Sequence, residues 1–422
     1  VSPPPEATPI WRYIRLDEFT CPSPSAKETM RKGVSGFWDK FRRRTEPEEP
    51  IITQDELKRL SDKLYAQTAP EPDWTKPVAA LNEALEEGLA TRISRVHILV
   101  GAPFSGIAEV LVNWAERRGI KVIQPPEPGV ILNQHQEWLQ CLRNEGSTRS
   151  LAIPHLERYY LRHHHGLKLI RQLLPWLLNR PGYCVLCCSS WAWAYLSKAL
   201  QVDKLFPAPW TLEALNQERL QQWFAHLSTR QGKEIFLFRQ LDNGAFVIPP
   251  LDDMPFAEKT MRKRAAKATP HPEVSAFLTD LAAYSRGNPG IAWTLWRQSL
   301  QMAPEKENGT DTQDQTPNGD ESTYGHTIWV KPWSQLPLPN LPEAADRNTL
   351  QILHTLLLHE RLPTSLFIEL LPFSFFEARQ ILIQLERCGL VISAQDEWQL
   401  TPLGYPTVRQ ALQAEGYLVD SL

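Results

Sequence analysis

The sequence predicts an α/β protein in three parts: a core built on a parallel sheet, a small helical region, and a C-terminal domain of three helices and a hairpin. Three observations carry this. Between residues 95 and 200, short runs rich in branched apolar residues alternate with helical periods, the pattern of strand–helix–strand units. Pro272 to Leu300 then reads as two helices broken at SRGNPG, where the glycines and Pro289 set a turn. From Asn348 onward the order becomes helix, helix, helix and two short strands. A chain of 422 residues is also too long for one core, since single cores seldom grow far beyond about 250 residues.

The elements follow in order. Residues 1–75 form a proline-punctuated arm carrying PPP, SPS, FRRRTEPEEP and APEPDW, expected to be partly helical near Ser25 to Arg43 and Thr53 to Gln67. Phe37, Trp38 and Phe41 make an aromatic face beside Arg42, Arg43 and Arg44, suited to packing on the chain's own core, to a protein, or to a membrane surface. The core is placed at 76–230. A helix from Trp74 to Leu89 leads to the strand Arg95 to Val100, the turn GAPFSG, the helix IAEVLVNWAERRG and the strand IKVIQPP. Gln134 to Arg143 is predicted helical, Ser150 to Leu156 a buried strand, Gly166 to Leu178 a helix, Tyr183 to Ser189 a strand, and Trp191 to Leu200 a helix. Thr211, after the proline-rich turn FPAPW, is expected to cap a helix running to Leu227.

The lid-like helical region is placed at 231–303, with Glu234 to Arg239 either a strand or a helix end and a basic patch at Glu258 to Lys267. Residues 304–323 have almost no apolar content and read as a flexible linker. The last domain, 324–422, begins with a bridging strand at His326 to Trp333. It ends with the hairpin LVISAQ and EWQLT, joined by Gln395 and Asp396, and a closing helix from Pro402 to Ala414. Three helices followed by a hairpin is the winged-helix order.

Charge and composition exclude several function classes. The 45 basic and 48 acidic side chains almost cancel, so no global field draws the chain to nucleic acid or anionic lipid. No apolar run reaches the roughly 18 to 20 residues that span a bilayer, and the opening VSPPPEATP has neither a basic start nor an apolar stretch, so a cytoplasmic location is expected. The six cysteines are placed unlike a disulfide framework, and Cys184, Cys187 and Cys188 lie in what reads as a buried strand. His163, His164 and His165 are consecutive and cannot all face one ion from regular structure, so they read as a solvated loop, and no metal site is expected. No G-x-S-x-G elbow or H-E-x-x-H pair is present, and no catalytic residue is nominated.

The glycine turn is the most informative local signal. GAPFSGIAE follows a strand and opens a helix, where a glycine-rich turn and a helix N-terminus together can cradle a phosphate. Gly101 and Gly106 keep the spacing of GxxxxGK[ST]. Ile107 stands where a lysine would reach the β and γ phosphates, Ala108 where a hydroxyl would bind Mg²⁺, and Glu109 adds negative charge. In the strand SLAIPHLE, Pro154 and His155 occupy the end where an acidic residue would polarise a metal-bound water. Glu157, just beyond, is expected to serve as surface or interdomain polarity. The strand CVLCCSS ends in Ser189 and Ser190.

The order of turn, IPHLE strand, VLCCSS strand, SRGNPG helical region and winged helix resembles the AAA+/STAND class of P-loop ATPases, over roughly residues 75 to 422. The resemblance implies a P-loop-NTPase-like three-layer core, a small helical lid and a winged-helix domain. It places Gly101, Ser105, Gly106, Glu157, Ser189 and Arg286 about a nucleotide site, and the substitutions at Ile107 and Ala108 mark a degenerate member.

Function is therefore expected to be that of a non-hydrolysing scaffold or regulator that binds a protein partner, the balance being against an enzyme and against any bound cofactor. One alternative is a nucleotide-binding AAA+-like switch that holds ATP or ADP. The other is a winged-helix transcriptional regulator. Against DNA binding, residues 346–422 carry five arginines and no lysine against nine acidic side chains, a net charge near −4.

Overall fold

A computed structural model of the chain describes residues 9–24, 58–91, 95–146, 150–229, 236–249, 274–302, 327–343 and 345–422. The aromatic–arginine face of the arm, the basic patch at 258–267 and the linker at 304–323 lie outside the described residues. The chain supplies β1 (Tyr13–Arg15), β2 (Lys58–Arg59), α1 (Asp62–Thr68) and α2 (Thr75–Thr91) before the core begins. The core runs β3 (Val96–Gly101), α3 (Ile107–Arg117), β4 (Lys121–Val122), α4 (Pro128–Asn133), α5 (His135–Gly146) and β5 (Leu151–Ile153). It continues through α6 (Lys168–Asn179), β6 (Cys184–Ser189), α7 (Ser190–Leu200), α8 (Val202–Leu205), β7 (Trp210–Leu212) and α9 (Gln217–Thr229).

These strands form a six-stranded sheet in the order β1-β7-β3-β6-β5-β4, parallel except for the edge strand β1. Every residue of β3 and β5 is buried, which is why they read as unbroken apolar runs and not as alternation. Helix α3 buries Ile107, Val110, Leu111, Trp114 and Ala115, the i, i+3, i+4, i+7, i+8 stripe of a helix laid on a sheet. The chain passes from β3 through α3 to the edge strand β4 and returns through β5, β6 and β7. The result is a mixed α/β fold with a mostly parallel sheet.

Two sequence expectations change here. Thr211 does not cap a helix: it is buried within β7 and pairs with Ile14 of the amino-terminal segment. The cap of α9 is Asn216, whose Oδ1 accepts from the Arg219 N–H at 3.0 Å. The arm is also part of the sheet near its start, where Trp11 and Tyr13 are buried.

The region after the core contains β8 (Leu237–Gln240), β9 (Phe246–Ile248), α10 (Phe277–Tyr284), α11 (Pro289–Ser299), β10 (Leu300–Met302) and β11 (Thr327–Val330). It is more than helical: a second sheet runs β2-β10-β11-β8-β9. Its strands are two to four residues long, too short for a sequence period to show. The ring of Trp296 stacks on Phe224 at 4.7 Å and meets Phe238 at 5.1 Å, joining α11, α9 and this sheet.

The C-terminal part comprises α12 (Arg347–His359), β12 (Arg361–Pro363), α13 (Thr364–Leu370), α14 (Phe375–Arg387), β13 (Val391–Ala394), β14 (Glu397–Leu400) and α15 (Gly404–Ala414). Its sheet is antiparallel, in the order β12-β14-β13. Gln395 and Asp396, both with positive φ, make the two-residue turn between β13 and β14, as expected of a tight hairpin. Helix α12 is buried on nearly every side, and Tyr160 of the core donates its hydroxyl to the Leu358 carbonyl at 3.0 Å. The Arg162 N–H donates to His359 Nε2 at 3.3 Å. Burial holds the His359 imidazole down to about 3. Among the described residues no helix is long and apolar enough to cross a membrane.

Candidate functional site

The turn after β3 is shaped by what its glycines leave room for. A Cβ at Gly101 would lie 2.3 Å from Ile107 Cγ2, and one at Gly106 would lie 2.2 Å from the Trp74 ring. Gly106 also has φ +74, so it is required twice over, by conformation and by space. Phe104 adopts φ +69 without being glycine. The turn is held from the start of α11: Asn288 Nδ2 donates to the Pro103 carbonyl at 2.8 Å, and the Asn288 Oδ1 accepts from Gly290 and Ile291 to cap α11. The Phe104 ring meets Tyr405 of α15 edge-on at 6.1 Å.

Below the turn lies a cavity of about 610 Å³ between the core, α11 and the C-terminal sheet. Gly101, Ser105, Gly106, Glu157 and Ser189, all singled out in the sequence, line it together. Arg286 does not. It lines a separate space of about 30 Å³ that it shares with Gly101 and Ser105, and its Nε donates to the Leu422 carbonyl at 2.9 Å. Ser189 Oγ caps α7, accepting from the Ala192 N–H at 3.5 Å.

Glu157 is not surface polarity. It is 3% exposed, and its Oε2 accepts from the Ser189 N–H at 2.9 Å. Its Oε1 lies 3.0 Å from His155 Nδ1, which also lies 3.1 Å from Oε2 of Glu360 at the end of α12. Glu157 therefore meets the end of α12 through His155. Burial alone would lower the imidazole of His155, but the two flanking carboxylates prevail and push it up to about 10. Burial raises the Glu157 carboxyl. That of Glu360 is lowered despite its burial, because His155, Arg361 and Arg158 favour its anion.

Glu360 was missed in the sequence, as were Trp74, Trp293 and Arg361, which line the same cavity. Glu360 follows an apolar helix and has φ +67, and nothing in the chain marks it as turning back toward the core. Cys187 and Cys188 also reach the cavity wall, where burial pushes their thiols up and disfavours the thiolate. The ionisable groups on the wall are thus Glu109, His155, Glu157, Glu360 and Arg361. His155 thus links Glu157 to Glu360 at the end of α12.

A second polar cluster lies beyond α7. Arg409 Nε donates to Asp420 Oδ1 at 3.0 Å, and Asp420 Oδ2 accepts from Ser190 and Tyr405. The Trp191 indole donates to the Tyr405 hydroxyl at 3.0 Å.

No family model matches the chain, and no curated protein matches it. Among solved structures it is similar to a RuvB variant of Thermotoga maritima, with 11% identity and a TM-score of 0.32 over 85% of this chain and 96% of that one. It is also similar to PCH-2 of C. elegans, with 16% identity and a TM-score of 0.28 over 56% of this chain and 65% of that one.

Proposed function

We propose that the chain is a non-hydrolysing, AAA+-like scaffold, with a degenerate P-loop core, a lid and a winged-helix-like C-terminal domain, that binds a protein partner and does not turn over ATP. The observation that carries this is the position of Ile107. It is 5% exposed and packs beneath Gly101, where a phosphate-binding lysine would have to reach into the cavity. Around it the wall offers Glu109, Glu157 and Glu360 to a triphosphate, against Arg361 and a His155 already paired to carboxylates. Phosphoryl transfer needs cations and a metal ligand at these points. The C-terminal domain supports partner binding: Ile368, Phe375, Phe376 and Ile392 are exposed by 41%, 46%, 75% and 46% on an acidic domain ill suited to DNA.

One observation favours a second reading, a nucleotide-binding switch: a cavity of about 610 Å³ is within the range of small-ligand pockets. Gly101, Ser105, Gly106, Glu157 and Ser189 would then hold ATP or ADP, and Arg286 would first have to leave Leu422. Calorimetric titration with ATP and ADP, with and without Mg²⁺, separates the two. The scaffold reading expects no saturable heat up to millimolar nucleotide from the folded protein. Micromolar, Mg²⁺-sensitive binding would replace it with the switch.

A further inference from the structure

We propose that His155, Glu157 and Glu360 form a nucleotide-independent binding site for a first-row divalent transition metal, with Zn²⁺ as the probe, at the joint between the core and the C-terminal domain.

The donor atoms are already gathered. His155 Nδ1 lies 3.0 Å from Glu157 Oε1 and 3.1 Å from Glu360 Oε2, and all three ligand atoms lie within 4.8 Å of one another. A metal bound at about 2.0–2.2 Å to each donor holds neighbouring donors about 3.0–3.4 Å apart in tetrahedral or octahedral geometry. Two of the three edges are therefore near their bound lengths.

The cluster also has an acceptor that the protein does not satisfy. His155 Nδ1 has one proton to offer two carboxylates. Glu360 Oε2 competes for that proton at 3.1 Å and has no donor to itself. An acceptor left short of donors is one that a water or an ion can satisfy. A cation replacing that proton would satisfy the imidazole nitrogen and both oxygens at once.

The outer groups are arranged as metal ligands require. Glu157 Oε2 is held by the Ser189 N–H at 2.9 Å, and Glu360 Oε1 faces Arg361 Nη2 at 3.8 Å, so each carboxylate has its other oxygen oriented. One imidazole and two carboxylates suit Zn²⁺, Co²⁺, Mn²⁺ or Fe²⁺ better than Mg²⁺ or Ca²⁺, which favour oxygen alone. The site faces the cavity of about 610 Å³, so three protein ligands leave room for a water or a small ligand to complete the shell. The inference does not rest on the scaffold reading, since it requires neither a partner nor a nucleotide.

The test uses the full chain under reducing conditions, with His163, His164 and His165 replaced by asparagine so that this exposed run cannot bind metal. ZnCl₂ is titrated calorimetrically, and CoCl₂ by absorption, after chelator treatment and without nucleotide. The expected result is one equivalent of each metal, a Co²⁺ spectrum without a sulfur-to-cobalt charge-transfer band, and affinity weakened about tenfold or more in both Glu360→Gln and His155→Asn. Circular dichroism checks folding. Glu360→Gln is nearly isosteric and sits on the domain joint, so it remains informative should His155→Asn fail to fold. No stoichiometric uptake by the folded chain, uptake undiminished by Glu360→Gln, or a thiolate band would overturn the proposal.

Discussion

Two polar clusters lie between the core and the C-terminal helices, and they are built differently. At Asp420 each carboxylate oxygen is satisfied: Arg409 meets one, Ser190 and Tyr405 meet the other, and Arg409 Nη2 also donates to the Asp420 carbonyl at 3.0 Å. Burial pushes the Asp420 carboxyl up, while Arg409 pulls it the other way. At His155 two carboxylates contend for one nitrogen, beside a cavity. A fully connected buried network fixes one arrangement, whereas a partly satisfied one leaves an acceptor short of donors. The first cluster is a fastening and the second is a place to bind.

The contrast can be broken most severely at Asp420. Asp420→Ala removes a buried partner and strands the Arg409 guanidinium, so it should cost about 3–5 kcal/mol in urea unfolding. A loss of less than about 1 kcal/mol would remove the distinction between the clusters.

His354 sharpens the contrast through pH. It lies 3.4 Å from Arg162 and packs against Tyr417 and Trp191, and burial with the Arg162 charge lowers it to about 4. Its unfolded value is higher, near 6.5, so the folded state resists protonation there. Its contribution is complete above about pH 6.5 and is lost as pH falls from 6.5 toward 4, reaching about 2 kcal/mol by pH 5. Comparison of urea midpoints at pH 7 and pH 5 should show a shallower loss in His354→Gln than in the unaltered chain.

At the binding cluster, Glu360→Gln in metal-free protein should change stability by less than about 1 kcal/mol, because the Glu360 side chain is 35% exposed and solvent screens the pair. A cost matching that of Asp420→Ala would make this cluster a fastening as well. The smallest effect is expected at Phe376→Ser, within about 0.5 kcal/mol, because the ring is 75% exposed. Capture of a partner by the unaltered chain but not by this variant would tie the exposed face to binding.

What the sequence revealed follows the length of each signal. The strands Val96–Gly101 and Cys184–Ser189 and the helices beside them were legible, because each carries six or more residues of period or unbroken apolar character. The turn at Gly101 to Gly106 was legible because glycine spacing survives the loss of the lysine. The strands Tyr13–Arg15 and Trp210–Leu212 were not, since three residues show no period and their pairings are with strands distant in sequence. At the site, Glu157 and Ser189 could be placed from the ends of their strands. Glu360 could not: its approach depends on a left-handed backbone and on the docking of α12, both tertiary facts.

The second sheet has a consequence for the order of folding. It joins residues 58–59, 237–248, 300–302 and 327–330, and its central pair, β8 and β11, is parallel across some ninety residues of chain. Loop-closure entropy must be met before such a pairing returns any contact energy. We expect this sheet to close last, after the core strands are in register. Pulsed hydrogen exchange during refolding would then find the amides of Ile328 and Val330 protected later than those of Ile98 and Leu186.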